Sequence, residues 1–363
     1  MSASSSTSSS ETVGARHRTY LRRLLAALFV FSALVFAAGA YVQPFYGDIT
    51  RVGGYSEREF GWNGTQPGFE SPLFSMGAYD RYFDVIVIGD SFSFNGSPLQ
   101  WQNFFAATSG MTILTLDVRK TSPEDVLSSP TFKSSPPRLL VFERVERLFM
   151  QSVKPAACPQ LASDLLRQAP PAEMPRLAKA PASIKRQYRL GDYFRYGYPF
   201  ALAYRAALRT MREPADVSVR AYPLKNAEVF TSHRSDLLLV YSEELKARPW
   251  SDQQLAMAKC FLLDLQARTE ANGTTGFAAM VPPDRLTAYA SQLARPESAP
   301  PSRLHELADR RLKLIELEAP IREKIAAGVK DVYLPNDTHW GAEGHMVAAA
   351  ALMAHVKSLP GDR

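Results

Sequence analysis

Residues 24–42 form a run of 19 positions without one charged side chain. At about 1.5 Å rise per residue, a helix of that length covers roughly the ~30 Å hydrocarbon core of a bilayer. This predicts a single spanning helix and divides the chain into a short N-terminal piece and a large remainder. Arg16, Arg18, Arg22 and Arg23 stand just before the run and no cation lies within it. The positive-inside bias then puts the N-terminus in the cytoplasm and the bulk of the chain outside, a type II arrangement. Ala38-Gly39-Ala40 also has the small-x-small form of a signal-peptidase site. A signal h-region usually has about 7–15 residues, however, so the length favours a retained anchor, and either reading exports the remainder. The first ten positions hold seven serines, and residues 1–23 are read as a disordered cytoplasmic tail.

The formal charge of +6 invites a nucleic-acid reading until it is located. The four arginines before the apolar run, set against Glu11, supply +3 of it, leaving +3 for the other 340 or so residues. No Lys/Arg run of nucleic-acid type occurs, so no such partner is expected. Two cysteines, Cys158 and Cys260, exclude a disulfide scaffold and lack C-x-x-C spacing, so a cysteine-ligated metal is not expected. In an oxidising compartment they form either one disulfide across a long loop or two unrelated buried thiols.

Residues 43–82 read as a linker and entry region. Beyond them, short β-branched runs alternate with helical patterns: strands at 83–88, 112–118 and 139–142, a helix at about 97–110 and a short one after Ser122. This is an α/β pattern with a parallel sheet flanked by helices. From about 150 to 250 six prolines between Pro155 and Pro181 break the periodicity, predicting an insertion. Its second half interleaves Tyr188, Tyr193, Phe194, Tyr196, Tyr198, Phe200 and Tyr204 with Arg186, Arg189 and Arg195. That set suits a glycan groove, but ordinary packing of rings along an amphipathic helix is the better reading. A long helix from Ser251-Asp252 to Asn272-Gly273 has matching cap residues. A strand at 276–281, helices at 303–317 and 321–327, a strand at 332–334 and a last helix at 342–359 complete the expected order.

Two sequence blocks carry chemistry. Val87-Ile88-Gly89-Asp90-Ser91-Phe92-Ser93 places a serine one step beyond the C-terminal end of a buried strand, the edge at which open parallel sheets bind ligands. The turn also offers backbone N–H groups to an oxyanion. By itself it is equally an ordinary Gly-Asp-Ser turn. The second block is Leu334-Pro335-Asn336-Asp337-Thr338-His339-Trp340-Gly341, between the last strand and the last helix. A one-residue spacer in extended backbone turns Asp337 and His339 the same way. The carboxylate can then orient the ring, and the ring's other nitrogen can face Ser91. A metal held by Asp337, His339 and His345 lacks suitable ligand spacing.

With these blocks in view, the chain resembles the SGNH/GDSL hydrolase-like superfamily. Its Asp-Thr-His-Trp form is similar to that of the alginate O-acetyltransferase (AlgJ/AlgX-like) group. Looser matches lie at Phe142-Glu143-Arg144-Val145-Glu146-Arg147, at Leu237-Leu238-Leu239-Val240-Tyr241 and at Val281-Pro282-Pro283-Asp284-Arg285. The resemblance implies a three-layer SGNH-like catalytic domain over 83–356, interrupted by the insertion, with Ser91, His339 and Asp337 as a triad. It departs from the alginate enzymes in placing the serine block first, and from ordinary SGNH hydrolases in spacing Asp and His by one residue. The glycine and asparagine that complete the family's oxyanion hole have no counterpart in Asp117-Val118-Arg119-Lys120 or Glu143-Arg144. Asn95, Arg144 and backbone amides are the substitutes, with Trp340 a further substrate candidate.

The implied activity is transfer of an acetyl group through an acetyl-serine to a polysaccharide hydroxyl, without a cofactor. Expected partners are the polysaccharide and a multi-pass membrane acyltransferase supplying acetyl groups, with the catalytic domain outside the inner membrane. An exported O-acyl esterase would use the same residues, and a polysaccharide-binding assembly protein with a relic site is the non-enzymatic alternative.

Overall fold

A computed structural model describes residues 8–159, 174, 177–194, 197–211, 218–247 and 249–358. The chain enters through helix α1 (Ser8–Val42), α2 (Asp48–Gly53) and α3 (Glu57–Phe60). Strands β1 (Gln66–Gly68), β2 (Ser75–Met76) and β3 (Val85–Gly89) follow, then α4 (Trp101–Ser109), β4 (Ile113–Asp117), α5 (Pro123–Ser128), α6 (Pro130–Ser134), β5 (Leu139–Glu143) and α7 (Glu146–Ser152). Next come β6 (Ala182–Ile184), a 3-10 turn at Leu190–Phe194, α8 (Gly197–Met211), β7 (Val219–Pro223), β8 (Leu237–Tyr241), α9 (Ser242–Lys246) and α10 (Asp252–Glu270). The chain continues through β9 (Gly276–Met280), α11 (Arg285–Tyr289), β10 (Leu314–Ile315), α12 (Glu318–Ala326) and α13 (Ala342–Ser358).

Six strands make one parallel sheet in the order β10-β9-β5-β3-β4-β2. The β-branched run of β3 occupies its centre because both of its faces are covered. Val85 and Val87 join one apolar cluster with Trp101, Phe104 and Phe105 of α4 and the alanines of α13. Ile86 and Ile88 join the other, with Phe261, Leu262 and Leu265 of α10. The alternation is the two-residue period of a strand, and it yields the expected helix–sheet–helix sandwich. Each fully buried Val or Ile contributes about 1.5–3 kcal/mol of transfer free energy. β4 and β5 flank β3 on opposite sides, so the connection reverses direction at the C-terminal end of β3, where such sheets open a crevice.

Several sequence expectations are corrected. The segment read as an unstructured tail is helical from Ser8, continuous with the apolar run, and only residues 1–7 lie outside the described part. A helix whose first turn is already paid for by the downstream run extends readily through residues such as Ala15, Arg16 and Arg18. Residues 43–82 are part of the domain: β2 is the edge strand of the main sheet, and β1 pairs antiparallel with β6 of the insertion. The helix expected at 303–317 is a 3-10 turn at Leu304–Leu307 followed by β10. Asp309 accepts from the backbone N–H of Arg311 and closes a turn, and the apolar residues beyond gain more by pairing with β9. The strand expected at 332–334 is a lone bridge between Tyr333 and Trp340, because the chain doubles back on itself there. The helix expected from 97 begins at Trp101, after turns closed by Asn95 and Ser97.

The caps of α10 match the sequence reading: Ser251 Oγ accepts from the N–H of Gln254, whose side chain accepts in return from Ser251 N–H. Cys158 and Cys260 form a disulfide that ties the segment after α7 to α10. Of the insertion's described aromatic and arginine residues, Arg186, Tyr188 and Tyr193 pack together, whereas Phe200 and Tyr204 are exposed. Arg186 is buried against Glu57 at 3.1 Å, and Tyr188 meets Tyr46 and Tyr193 edge-on. Arg195, Tyr196 and the side chains of Phe194 and Tyr198 lie outside what is described.

Candidate active site

Ser91 sits in the turn that follows β3. Gly89 is required there by close approach, since a Cβ would meet Glu143 Oε2 at 2.6 Å and Ser93 Cβ at 2.7 Å. Asp90 pins the turn from below: Oδ1 accepts from Phe92 N–H at 3.0 Å and Oδ2 from Val145 N–H at 2.9 Å. Its own N–H donates to Glu143 Oε2 at 3.0 Å. Burial, reinforced by the Asp90 carboxylate, pushes Glu143 well above the usual carboxyl range.

The second block reaches the same point from the far end of the chain. Leu334 N–H donates to His339 carbonyl O and Gly341 N–H to Val332 carbonyl O, folding 334–339 into a loop over the sheet edge. His339 Nε2 lies 2.8 Å from Ser91 Oγ, and His339 Nδ1 lies 2.5 Å from Asp337 Oδ1. The three side chains named from sequence are therefore in one hydrogen-bonded line across 248 residues of chain. Asp337 Oδ1 also accepts from His339 N–H, and Oδ2 accepts from the backbone N–H of Asp48, each at 3.1 Å. Burial opposes ionisation of Asp337, but the charge and hydrogen bond of His339 and these two amides outweigh it and hold the carboxyl far below its ordinary value. Burial likewise works against a charged His339, and the Asp337 carboxylate overcomes it, raising the ring's pKa.

The loop is braced by groups to which sequence reading gave no role. Glu57, fully buried, accepts from the backbone N–H groups of Tyr46 and Gly47, from Thr50 Oγ1, from Asn336 Nδ2 at 2.9 Å and from Arg186. Ile49 and Thr50 N–H groups both converge on the Asn336 carbonyl. Gly47 runs so close to Asn336 that a Cβ would collide with its backbone carbonyl. Arg285, also fully buried, donates to the Asp337 carbonyl at 2.9 Å. Phe92 packs on the His339 ring at 5.0 Å between centroids. Arg147 lies over Phe92 and is paired with Asp284 at 2.6 Å. The sequence signals for these groups were the two chemistry-bearing blocks, which hold Phe92 and Asn336, the insertion's Arg186, and the Glu143–Arg147 and Asp284-Arg285 blocks. Glu57 and Asp48 sit in a segment read as linker.

The structure also places the other three residues named from sequence. Asn95 Nδ2 donates to Ser91 carbonyl O at 2.9 Å and its Oδ1 accepts from Ser97 N–H, so its amide closes the turn. Arg144 is committed below the nucleophile turn, 3.8 Å from Asp90 Oδ2 and 3.5 Å from the Leu148 carbonyl. Trp340 is 1% exposed and stacks edge-on against Phe92, Tyr333 and His345, which makes it a packing pillar rather than a substrate platform. The Ser91 N–H makes no hydrogen bond among the described residues, so that amide is available as a donor at the nucleophile turn.

Asp48, Asp337 and His339 each bring one possible metal-ligand atom within 4.8 Å of the others. Asp48 also pairs with Arg51 at 2.6 Å, and Asp337 with the imidazole. His345 lies on α13, 1% exposed against Trp340, and burial lowers its pKa to about 3. Chemically, the arrangement can deprotonate the Ser91 hydroxyl through His339 and stabilise the resulting imidazolium with Asp337.

No curated protein and no solved structure matches the chain. A family model does, over residues 236–363, and its description is SGNH hydrolase-like domain, acetyltransferase AlgX. Asp337 and His339 fall inside the matched span, whereas Ser91 and the central strand β3 fall outside it and are joined to it by the fold. The C-terminal third of the chain, from β8 through α13, is thus similar to the SGNH hydrolase-like domain of the AlgX acetyltransferase group.

Proposed function

We propose that the chain is a membrane-anchored, exported O-acetyltransferase that carries an acetyl group on Ser91 and delivers it to hydroxyls of a cell-surface polysaccharide. The observation that carries this reading is the line from Ser91 Oγ through both ring nitrogens of His339 to Asp337. Neutral His339 takes the Ser91 proton as Oγ attacks the acetyl carbonyl of the donor. The oxyanion faces the Ser91 N–H. Collapse expels the donor's leaving group, which takes the proton from His339, and leaves acetyl-Ser91. A sugar hydroxyl then attacks with His339 again as base, and collapse returns the proton and the free serine.

The remaining parts rest on chemistry and chain organisation. The helix Ala15–Val42 is long and apolar enough to cross a membrane, and the arginines before it favour a cytoplasmic N-terminus. The Cys158–Cys260 disulfide suits an oxidising compartment such as the periplasm. Acetyl-CoA is cytoplasmic, so an external site calls for a multi-pass membrane acyltransferase that hands acetyl groups across the inner membrane.

The test is intact-mass spectrometry of the full chain incubated with an activated acetyl ester, with and without a panel of oligosaccharides, alongside Ser91→Ala. An acetyl adduct on Ser91 that moves to sugar faster than to water supports the proposal. Release to water whatever acceptor is offered would make the protein an esterase. No adduct in either protein would leave a polysaccharide-binding role.

A further inference from the structure

α8 belongs to the insertion and takes no part in the triad, yet its surface is unusual. Phe200, Ala203, Tyr204, Ala207 and Met211 recur at helical spacing and are exposed; Phe200 is 56%, Tyr204 65% and Met211 82% accessible. No charged side chain interrupts this stripe. Both arginines of the helix turn the other way. Arg205 donates to the Val52 carbonyl, and Arg209 donates to the carbonyls of Gly53 and Gly54 while its guanidinium covers the Tyr55 ring. The helix is thus fixed to the domain by its basic side and presents an apolar side outward, the reverse of a soluble amphipathic helix.

The same segment touches α1. Phe200 stacks on Phe31 with centroids 6.5 Å apart, and Tyr193 meets Phe36 at 6.1 Å. Val35 and Gly39 are buried along the side of α1 that carries Phe36, while Leu28, Phe29, Val30 and Leu34 remain exposed. Phe31 and Phe36 precede Val42 by 11 and 6 residues, which at 1.5 Å per residue is about 16 and 9 Å along the helix. If α1 spans a bilayer, the residues packed on Phe31 and Phe36 lie at hydrocarbon depth, not in water.

We propose that α8 is a second membrane contact, its Phe200–Tyr204–Met211 face lying among phospholipid acyl chains beside α1. This rests on the anchor reading of α1 given above. Continuity with the apolar surface of α1 and the inward-turned arginines favour lipid as the occupant over a polar partner. Two contacts hold a domain at a fixed height and rotation, which one spanning helix on a linker does not. α8 grips the C-terminal end of α2 through Arg205 and Arg209, and the first residue of α2, Asp48, donates its N–H to Asp337. The membrane contact is therefore one short helix away from the triad, which suits a site fed from the membrane.

The full chain, reconstituted in vesicles of phosphatidylcholine and phosphatidylglycerol, would be spin-labelled in turn at Tyr204→Cys, at Phe29→Cys on α1 and at the exposed Ser298→Cys. The native cysteines are paired, so each variant has one free thiol. Relaxation by oxygen, which partitions into lipid, is compared with relaxation by a water-soluble nickel chelate. The expected result is that the label at 204 matches that at 29, accessible to oxygen and shielded from nickel, while that at 298 shows the opposite. A label at 204 that behaves like 298 while 29 reads lipid would overturn the proposal and leave the anchor standing. Shielding of 204 from both reagents would also overturn it, in favour of a protein neighbour. An aqueous reading at 29 would remove the anchor and the proposal together. Acylation of each variant by the activated ester controls for folding.

Discussion

Replacing Asp337 by Asn tests how the site is held together. The carboxylate performs three tasks: Oδ1 accepts from His339 Nδ1 at 2.5 Å and from His339 N–H, and Oδ2 accepts from Asp48 N–H. An amide has one acceptor and one donor end. With its oxygen toward the ring, its NH2 confronts the Asp48 N–H. With the NH2 toward the ring, it forces the tautomer whose Nε2–H points at Ser91 and blocks proton abstraction. The substitution also removes the charge that stabilises the imidazolium formed in the transition state. At about 4 Å between charge centres and an effective dielectric near 20, that attraction is ~4 kcal/mol. At about 1.4 kcal/mol per decade this is roughly a thousandfold, and the tautomer penalty extends the expected loss toward 10⁴-fold. The assay is the single-turnover rate of acetyl-Ser91 formation by quenched-flow mass spectrometry, with thermal unfolding as the control for the fold. A folded Asp337→Asn protein that loses less than about tenfold would refute the argument, since neither the charge nor the tautomer would then matter to the chemical step.

Other outcomes follow from the same geometry. Because Asp337 raises the His339 pKa above its ordinary 6.5, kcat/KM should climb with pH through a midpoint above that value, measurable by a pH–rate profile of ester turnover. The stability contributed by the charged ring is complete below 6.5 and is lost as pH rises through the folded value. The contribution of Asp337 is present above 3.8 and lost as pH falls toward its lowered folded value, so urea titrations across pH should show both limbs. Glu143→Gln should preserve the acceptor for Asp90 N–H and leave alkaline stability equal or higher, because burial already penalises the ionised acid. Glu57→Ala should cost about 3–5 kcal/mol in chemical denaturation by stranding the buried Arg186, and should lower acetylation by freeing Asn336. Cys158→Ser opens a cross-link of 102-residue separation, with an expected loss of about 2–5 kcal/mol in the unfolding free energy.

The structure also bears on where such a site can be read in a chain and where it cannot. β3 and α10 were legible because their patterns are local: a β-branched run ended by glycine, and an apolar stripe bracketed by a capping box and a turn. The failures lie where tertiary partners override local preference. Residues 303–317 carry a helical pattern, but their last apolar residues are claimed by the open edge of β9, so they end as strand β10. Tyr333 looks like a strand residue and instead bridges to Trp340, because the loop must fold back to aim His339.

The sequence by itself determined the apolar N-terminal helix and the parallel α/β class, and it singled out Ser91, Asp337 and His339. Each is written in residue types whose physical preference acts over a few neighbours. Only the tertiary structure decided the rest. It closed the 248-residue gap between Ser91 and His339 to 2.8 Å, recruited Asp48 and Glu57 from an apparent linker, hydrogen-bonded Asn95 to the Ser91 carbonyl, and packed Arg144 and Trp340 into the interior. The reason is that a hydrogen-bond partner or a buried face is chosen by proximity in space, and proximity between distant segments has no local signature in a chain.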